Sequence, residues 1–187
     1  MRSEKRSRIR GGFTLIELMI VVGIIGILVA IAIPNFLRFQ LKAKSSECKT
    51  NLAAIRTAEQ SYYSEFGRYV SADQSPAAPG GTTKIAFVAN GSNNGIVPAT
   101  PGFTTLGWSP EGNVYFSYAV NPGTAGTGFW AVANADIDGN AARQGWMYRK
   151  QTGVADPTLP TGMTCGATGV PDDQVTPCDS ASGQSVF

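Results

Sequence analysis

Glu17 is the only charged residue within residues 13–37, a stretch of 25 residues rich in Ile, Val and Leu. An ionised side chain there costs about 2.5–3.5 kcal/mol at the centre of a bilayer and less near its surface, so the position calls for a reason. Two reasons stand open. The carboxylate can snorkel to the interface at a helix N-terminus, where the macrodipole favours an anion. Alternatively, the chain is cut between Gly12 and Phe13, and Glu17 pairs with the freed α-amine of its own or a neighbouring chain.

The other residues with chemical potential lie downstream. Cys165 and Cys178 have 12 residues between them in a segment rich in Gly, Pro and Asp. In an exported chain they form a disulfide worth about 3 kcal/mol; the alternative is two free thiols. Cys48 falls at core spacing on a helical pattern and reads as an inert buried thiol, with an intermolecular disulfide as the alternative. Asp136, Asp138 and Asn140 offer hard oxygen ligands and are a weak Ca²⁺ candidate, although the glycine stands fourth rather than sixth as in an EF-hand loop. A hairpin turn explains the same residues. No other metal and no cofactor is expected. Asn90-Gly91-Ser92 fits the N-glycosylation pattern, but a bacterial-style leader argues against that modification. Lys42, Lys44 and Lys49 are expected on a solvated helix face rather than against Asp172, Asp173 or Asp179 of another subunit.

Composition narrows the chemistry. The 187-residue chain has no histidine, which removes Ser-His-Asp and Cys-His nucleophile pairs and every metal site built on imidazole. The formal charge of +2 is uneven: Arg2, Lys5, Arg6, Arg8 and Arg10 against Glu4 give +4 in residues 1–12, so the remainder is −2. The basic character belongs to that leader, and no specific nucleic-acid site is expected.

These residues need elements to hold them. Residues 18–34 carry no polar side chain, and as a helix at about 1.5 Å per residue they reach the thickness of a bilayer core. Basic residues ahead of this stretch place the N-terminus in the cytoplasm and the rest outside. Beyond it, Cys48, Leu52, Ile55, Ala58, Tyr62 and Phe66 recur at helical spacing, with Lys44, Lys49, Arg56 and Glu59 read as lying between them. One helix is therefore predicted over residues 13–66, kinked at Pro34 and stopped by Gly67. From residue 67 onward lie 18 of the 22 glycines and 10 of the 11 prolines, so turns dominate. Strands are predicted at 84–89, 114–120, 129–135 and 145–150, with Asp138-Gly139-Asn140 turning between the last two. Residues 156–187 are expected to be irregular. The fold class is α+β: a long N-terminal helix whose second half packs on an antiparallel sheet of three or four strands.

The leader, Gly12, Phe13-Thr14-Leu15-Ile16-Glu17-Leu18-Met19-Ile20-Val21-Val22 and Ile31-Ala32-Ile33-Pro34 resemble the N-terminus of type IV pilins, whose precursors carry a class III signal. The resemblance is dense over residues 11–44. It implies a prepilin peptidase that cuts after Gly12 and N-methylates Phe13, a role in assembly for Glu17, and a bend or local melting near Pro34. Cys165 and Cys178 resemble the terminal loop that pilins close by a disulfide. The implied organisation is a leader at 1–12, a membrane and filament-core helix at 13–37, an amphipathic helix at 38–66 and a head at 67–187. The implied partners are copies of the chain itself, the peptidase, the inner-membrane assembly machinery and, before assembly, the lipid bilayer. The implied location is the inner membrane with the head in the periplasm, then a surface pilus used for motility, adhesion or DNA uptake. No catalysis is expected. A pseudopilin of a type II secretion system or a minor pilin is the alternative, and a secreted soluble domain cut after Ala32 is a remote one.

Overall fold

A computed structural model of the chain describes residues 12–78, 81–91, 101–123, 128–150, 165 and 171–178. The charged leader residues 2–10, Ser92 of the glycosylation pattern and Asp179 lie outside the described residues.

The predicted helix is there as α1, Leu15–Phe66, 52 residues that stay α-helical through Pro34. Just beyond the proline, the side chain of Asn35 donates to the carbonyl of Ile31 at 3.2 Å. The chain divides into two compact units between Phe39 and Gln40. In the first, residues 12–39 are exposed throughout, including Ile16, Met19, Ile24, Leu28, Ile31 and Phe36.

The second unit holds the core. Here α1 buries Ser45, Cys48, Leu52, Ile55, Glu59 and Tyr62 along one face. Glu59 corrects the sequence reading, which set it between the apolar positions. It stands 4 residues after Ile55 and 3 before Tyr62, on the buried stripe, whereas Phe66 is 36% exposed.

The sheet has five antiparallel strands, one more than the upper expectation. Its order is β1 (Ala72–Ser75), β4 (Ser117–Pro122), β5 (Phe129–Ala135), β6 (Gln144–Lys150) and β7 (Val175–Pro177). Register runs Val120↔Ala131↔Tyr148 and Tyr118↔Ala133↔Trp146 across the three central strands. β5 is buried on both faces. Ala131, Ala133 and Ala135 share a core with Cys48, Leu52, Ile55 and Tyr62 of α1. The absence of bulk on those alanines lets helix and sheet approach closely while Trp146 and Tyr148 fill the flanks. Trp130 and Val132 face the other way and join Ala119, Met147, Cys178 and Cys165 in a second cluster. The sheet thus packs against α1 on one face and carries Cys165 and Cys178 on the other.

Three further departures have local causes. The run at 114–120 is broken: Val114 belongs to a two-stranded ribbon of β2 (Ile85–Ala86) and β3 (Asn113–Val114), and β4 starts at Ser117. Between them, the Tyr115 N–H donates to Glu47 Oε1 of α1 at 2.8 Å instead of to a strand. A one-turn helix, α2 (Phe103–Leu106), ends on Gly107 in the left-handed conformation at φ 69°. It is fastened by Asn90, whose side-chain oxygen accepts from Phe103 N at 3.2 Å. β7 lies within the segment expected to be irregular, and its Pro177 sits on an edge strand, where a missing N–H is tolerated.

Candidate functional site

The helix start shows what Glu17 does within its own chain. Its Oε2 accepts from Thr14 N at 2.9 Å and from Thr14 Oγ1 at 2.7 Å, while Glu17 N donates to Thr14 Oγ1 at 3.3 Å. Thr14 is the N-cap and Glu17 the third helical residue, so the two form a reciprocal capping box that satisfies backbone donors at the start of α1. The signal was present as Thr14-x-x-Glu17, but the apolar surroundings drew attention to the charge instead of the cap. Gly12 and Phe13 precede the helix and are exposed, Phe13 at 83%. A methyl group added at Gly12, Gly23 or Gly26 would meet nothing within 4 Å, so the chain's own packing does not require glycine there.

Cys165 and Cys178 are joined by a disulfide. The turn before β7 is tied to β6 as well: Arg149 pairs with Asp172, and Asp173 Oδ1 accepts from Lys150 Nζ at 3.0 Å and Tyr148 Oη at 2.9 Å. Those two donors hold the Asp173 carboxyl below its ordinary range. The cross-link closes a span of 13 residues, for which chain entropy gives a stabilisation of about 3 kcal/mol. Reduction of the folded protein is accordingly expected to lower its thermal midpoint by several degrees, with the double variant Cys165→Ser/Cys178→Ser showing the same midpoint with or without reductant. An unchanged midpoint on reduction would leave the second core cluster standing without its clasp.

Cys48 is fully buried, its thiol donates to Ser45 O at 2.9 Å, and desolvation pushes it well above the ordinary thiol range. It is inert in the folded chain.

The Asp136–Asn140 segment is built as a turn. Asp136 accepts from Gly139 N and Ala141 N at 2.9 and 3.0 Å. Asp138 accepts from Asn140 N and its side-chain amide at 3.3 and 2.8 Å, and Asn140 Oδ1 accepts from Ala142 N at 2.6 Å. Among the described residues no group of three or more His, Cys, Asp or Glu is placed to hold a metal ion.

Lys42 and Lys49 are exposed, in keeping with the solvated-face expectation, and Lys44 is half-buried. Lys44 Nζ lies 5.0 Å from the Tyr115 ring centre and donates to Thr82 O and Ile137 O at 3.2 and 3.4 Å. Lys49 Nζ stands 4.4 Å from the centre of Trp146. Asp172 and Asp173, weighed as partners on another subunit, are engaged by β6 of the same chain.

With helix, sheet, cap and cross-link in place, the comparisons define the class first. Residues 7–33 match the prokaryotic N-terminal methylation motif, which implies processing by a prepilin peptidase. The chain is 69% identical over 58 residues to the type IV major pilin protein PilA of Myxococcus xanthus, covering 31% of this chain and 26% of that protein. It is 37% identical over 92 residues to the type IV major pilin protein PilE1 of Neisseria gonorrhoeae, covering 48% of this chain and 56% of that one. It is 34% identical over 140 residues to fimbrial protein Q of Moraxella bovis, covering 71% of this chain and 77% of its relative.

The chain belongs to the type IV pilins. It is a structural pilin subunit and not an enzyme, and its apolar N-terminal helix fits a membrane-anchored precursor and an extracellular pilus.

Proposed function

We propose that the chain polymerises through the N-terminal half of α1 into a type IV pilus, a surface filament serving motility, adhesion or DNA uptake. The observation that carries this reading is the exposed apolar length of α1: its most hydrophobic window buries nothing within the chain. Such a surface must lie in lipid or against copies of itself. At about 25 cal/mol per Å² the gain from covering it is on the order of tens of kcal/mol before entropy is subtracted. Staggered head-to-tail contacts do not close, so they generate an open helical filament. The working division is a leader at 1–12, a membrane and filament-core helix at 13–37, an amphipathic helix at 38–66 and a head at 67–187. The precursor sits in the inner membrane with its head in the periplasm, awaiting the assembly machinery.

The peptidase cuts between Gly12 and Phe13 and methylates the new amine. An exposed, non-helical junction favours this, as does a glycine that the chain's own packing does not require. Pro34 supplies the point where the helix can yield during assembly. Glu17 then has two tasks: its capping bonds to Thr14, and neutralising the amine of Phe13 on a neighbouring subunit.

Two variants test the second task. Glu17→Gln keeps a capping side chain and loses the charge, whereas Glu17→Ala loses both. Both are expected to abolish surface fibres seen by electron microscopy while leaving subunit levels in the membrane near those of the parent. Normal fibre numbers in either variant, or a mature protein whose intact mass retains the leader, would overturn the reading.

A further inference from the structure

Glu59 is a carboxyl group with no accessible surface, set in the core between Ile55 and Tyr62. Its Oε2 accepts from Val70 N at 3.1 Å, and its Oε1 has no partner among the described residues. Val70 is buried and belongs to loop 67–71, which leads from α1 into β1. The bond therefore spans the one connection between the helix and the first edge of the sheet.

The groups around it supply no counter-charge. On its own helix, Arg56 directs its guanidinium over the Tyr148 ring, 5.6 Å from the centre, and its Nε has no partner among the described residues. From the loop, Tyr69 feels the Glu59 charge as unfavourable. From β6 and the turn before β7, Tyr148, Lys150 and Asp173 are engaged with one another. An ionised Glu59 would thus have one N–H in place of a water shell, and burial disfavours that form.

We infer that Glu59 is a proton-dependent latch: as the neutral acid it holds loop 67–71 against the core, and loss of its proton to bulk water releases that loop and the last turns of α1. The loop is the lever because Val70 is its buried anchor, and an ionised carboxylate reaches solvent only by carrying that anchor out of the core. Neutral Glu59 uses one oxygen as acceptor for Val70 and keeps its proton on the other.

Desolvation, opposed only in part by the Val70 bond, raises the Glu59 pKa from an ordinary 4.5 to about 8. The folded state then binds one proton more than the unfolded state between those values, so stability falls as pH rises across that window and levels off above it. The folded-to-unfolded ratio is expected to drop by up to tenfold for each pH unit gained. Asp173, held low, titrates beneath the window, and the buried tyrosines, pushed up, titrate above it.

The test uses the full mature chain in detergent micelles, followed from pH 5 to pH 9 by thermal unfolding and by hydrogen exchange of the Val70 amide against that of Ile55. In the parent the midpoint should fall with rising pH, and Val70 should lose protection relative to Ile55. Glu59→Gln, which copies the neutral acid, should flatten the midpoint profile and keep Val70 protected at pH 9. Glu59→Met, which does not titrate, should flatten the midpoint profile in the same way if the Gln variant does not fold; because it removes the acceptor of the Val70 N–H, only its midpoint is read. Parallel pH profiles for the parent and either variant, or Val70 protection that tracks Ile55 throughout, would overturn the latch.

Discussion

A chain beginning at Gln40 is expected to fold and to run as a monomer in buffer without detergent, whereas a chain beginning at Phe13 is expected to be recovered from membranes or micelles. The contrast follows from where burial lies. Among the described residues every buried one falls between Ser45 and Cys178, and residues 12–39 add none. Removing them takes nothing from the core on either face of the sheet. It does remove an unbroken apolar surface whose contact with water costs on the order of tens of kcal/mol, far above the net stability of about 5–15 kcal/mol typical of a domain. A helix starting at Gln40 still has its buried stripe from Ser45 to Tyr62 on the sheet, and tertiary packing rather than length sustains a helix of that size. Size-exclusion chromatography and circular dichroism of the two chains decide the matter. Aggregation of the shorter one, or an unfolded spectrum, would mean that the apolar segment supports the head after all.

How much of this could be read from residues alone depended on whether local pattern and tertiary demand agreed. α1 was legible because uninterrupted apolar composition and then a repeating stripe both favour helix, and β5 and β6 because aromatic and branched residues flank an Asp-Gly turn. β1 was not, since Ala72-Asp73-Gln74-Ser75 has neither branched nor aromatic residues; it is a strand because β4 offers it an edge. The break at Tyr115 was invisible because its cause, the Glu47 carboxylate, comes from 68 residues away. Glu59 was misplaced for the opposite reason. Its spacing marked it as core, and its charge type outweighed the spacing. At the candidate site Gly12-Phe13, Glu17 and the cysteine pair were all visible as residue types. The hydrogen bonds from Thr14 required knowing where the helix begins.

Leu52→Ala is expected to destabilise the folded head by about 3–5 kcal/mol, a large share of the whole. Leu52 is fully buried on α1, in the cluster that includes Ala131, Ala133 and Tyr148 of the sheet. The three alanines of β5 make this the place where helix and sheet rely on the helix for bulk. Nothing on the strand can swing in to fill the space that the lost methyl groups leave. A collapse of α1 toward β5 is blocked by Tyr118, Trp146 and Tyr148, large side chains in the same cluster. The cavity therefore persists, and the cost lies toward the upper part of the range for such truncations. Denaturant titration of the parent and variant heads should show a lower midpoint with an unchanged slope, the signature of lost stability without a change in the surface exposed on unfolding. A loss below about 1 kcal/mol would show that the helix slides to close the gap, contrary to a core set by aromatic walls. The paired control is Ile24→Ala, at a position 55% exposed in the chain. It should leave the unfolding of the head untouched and, under the proposed assembly through α1, reduce fibre formation.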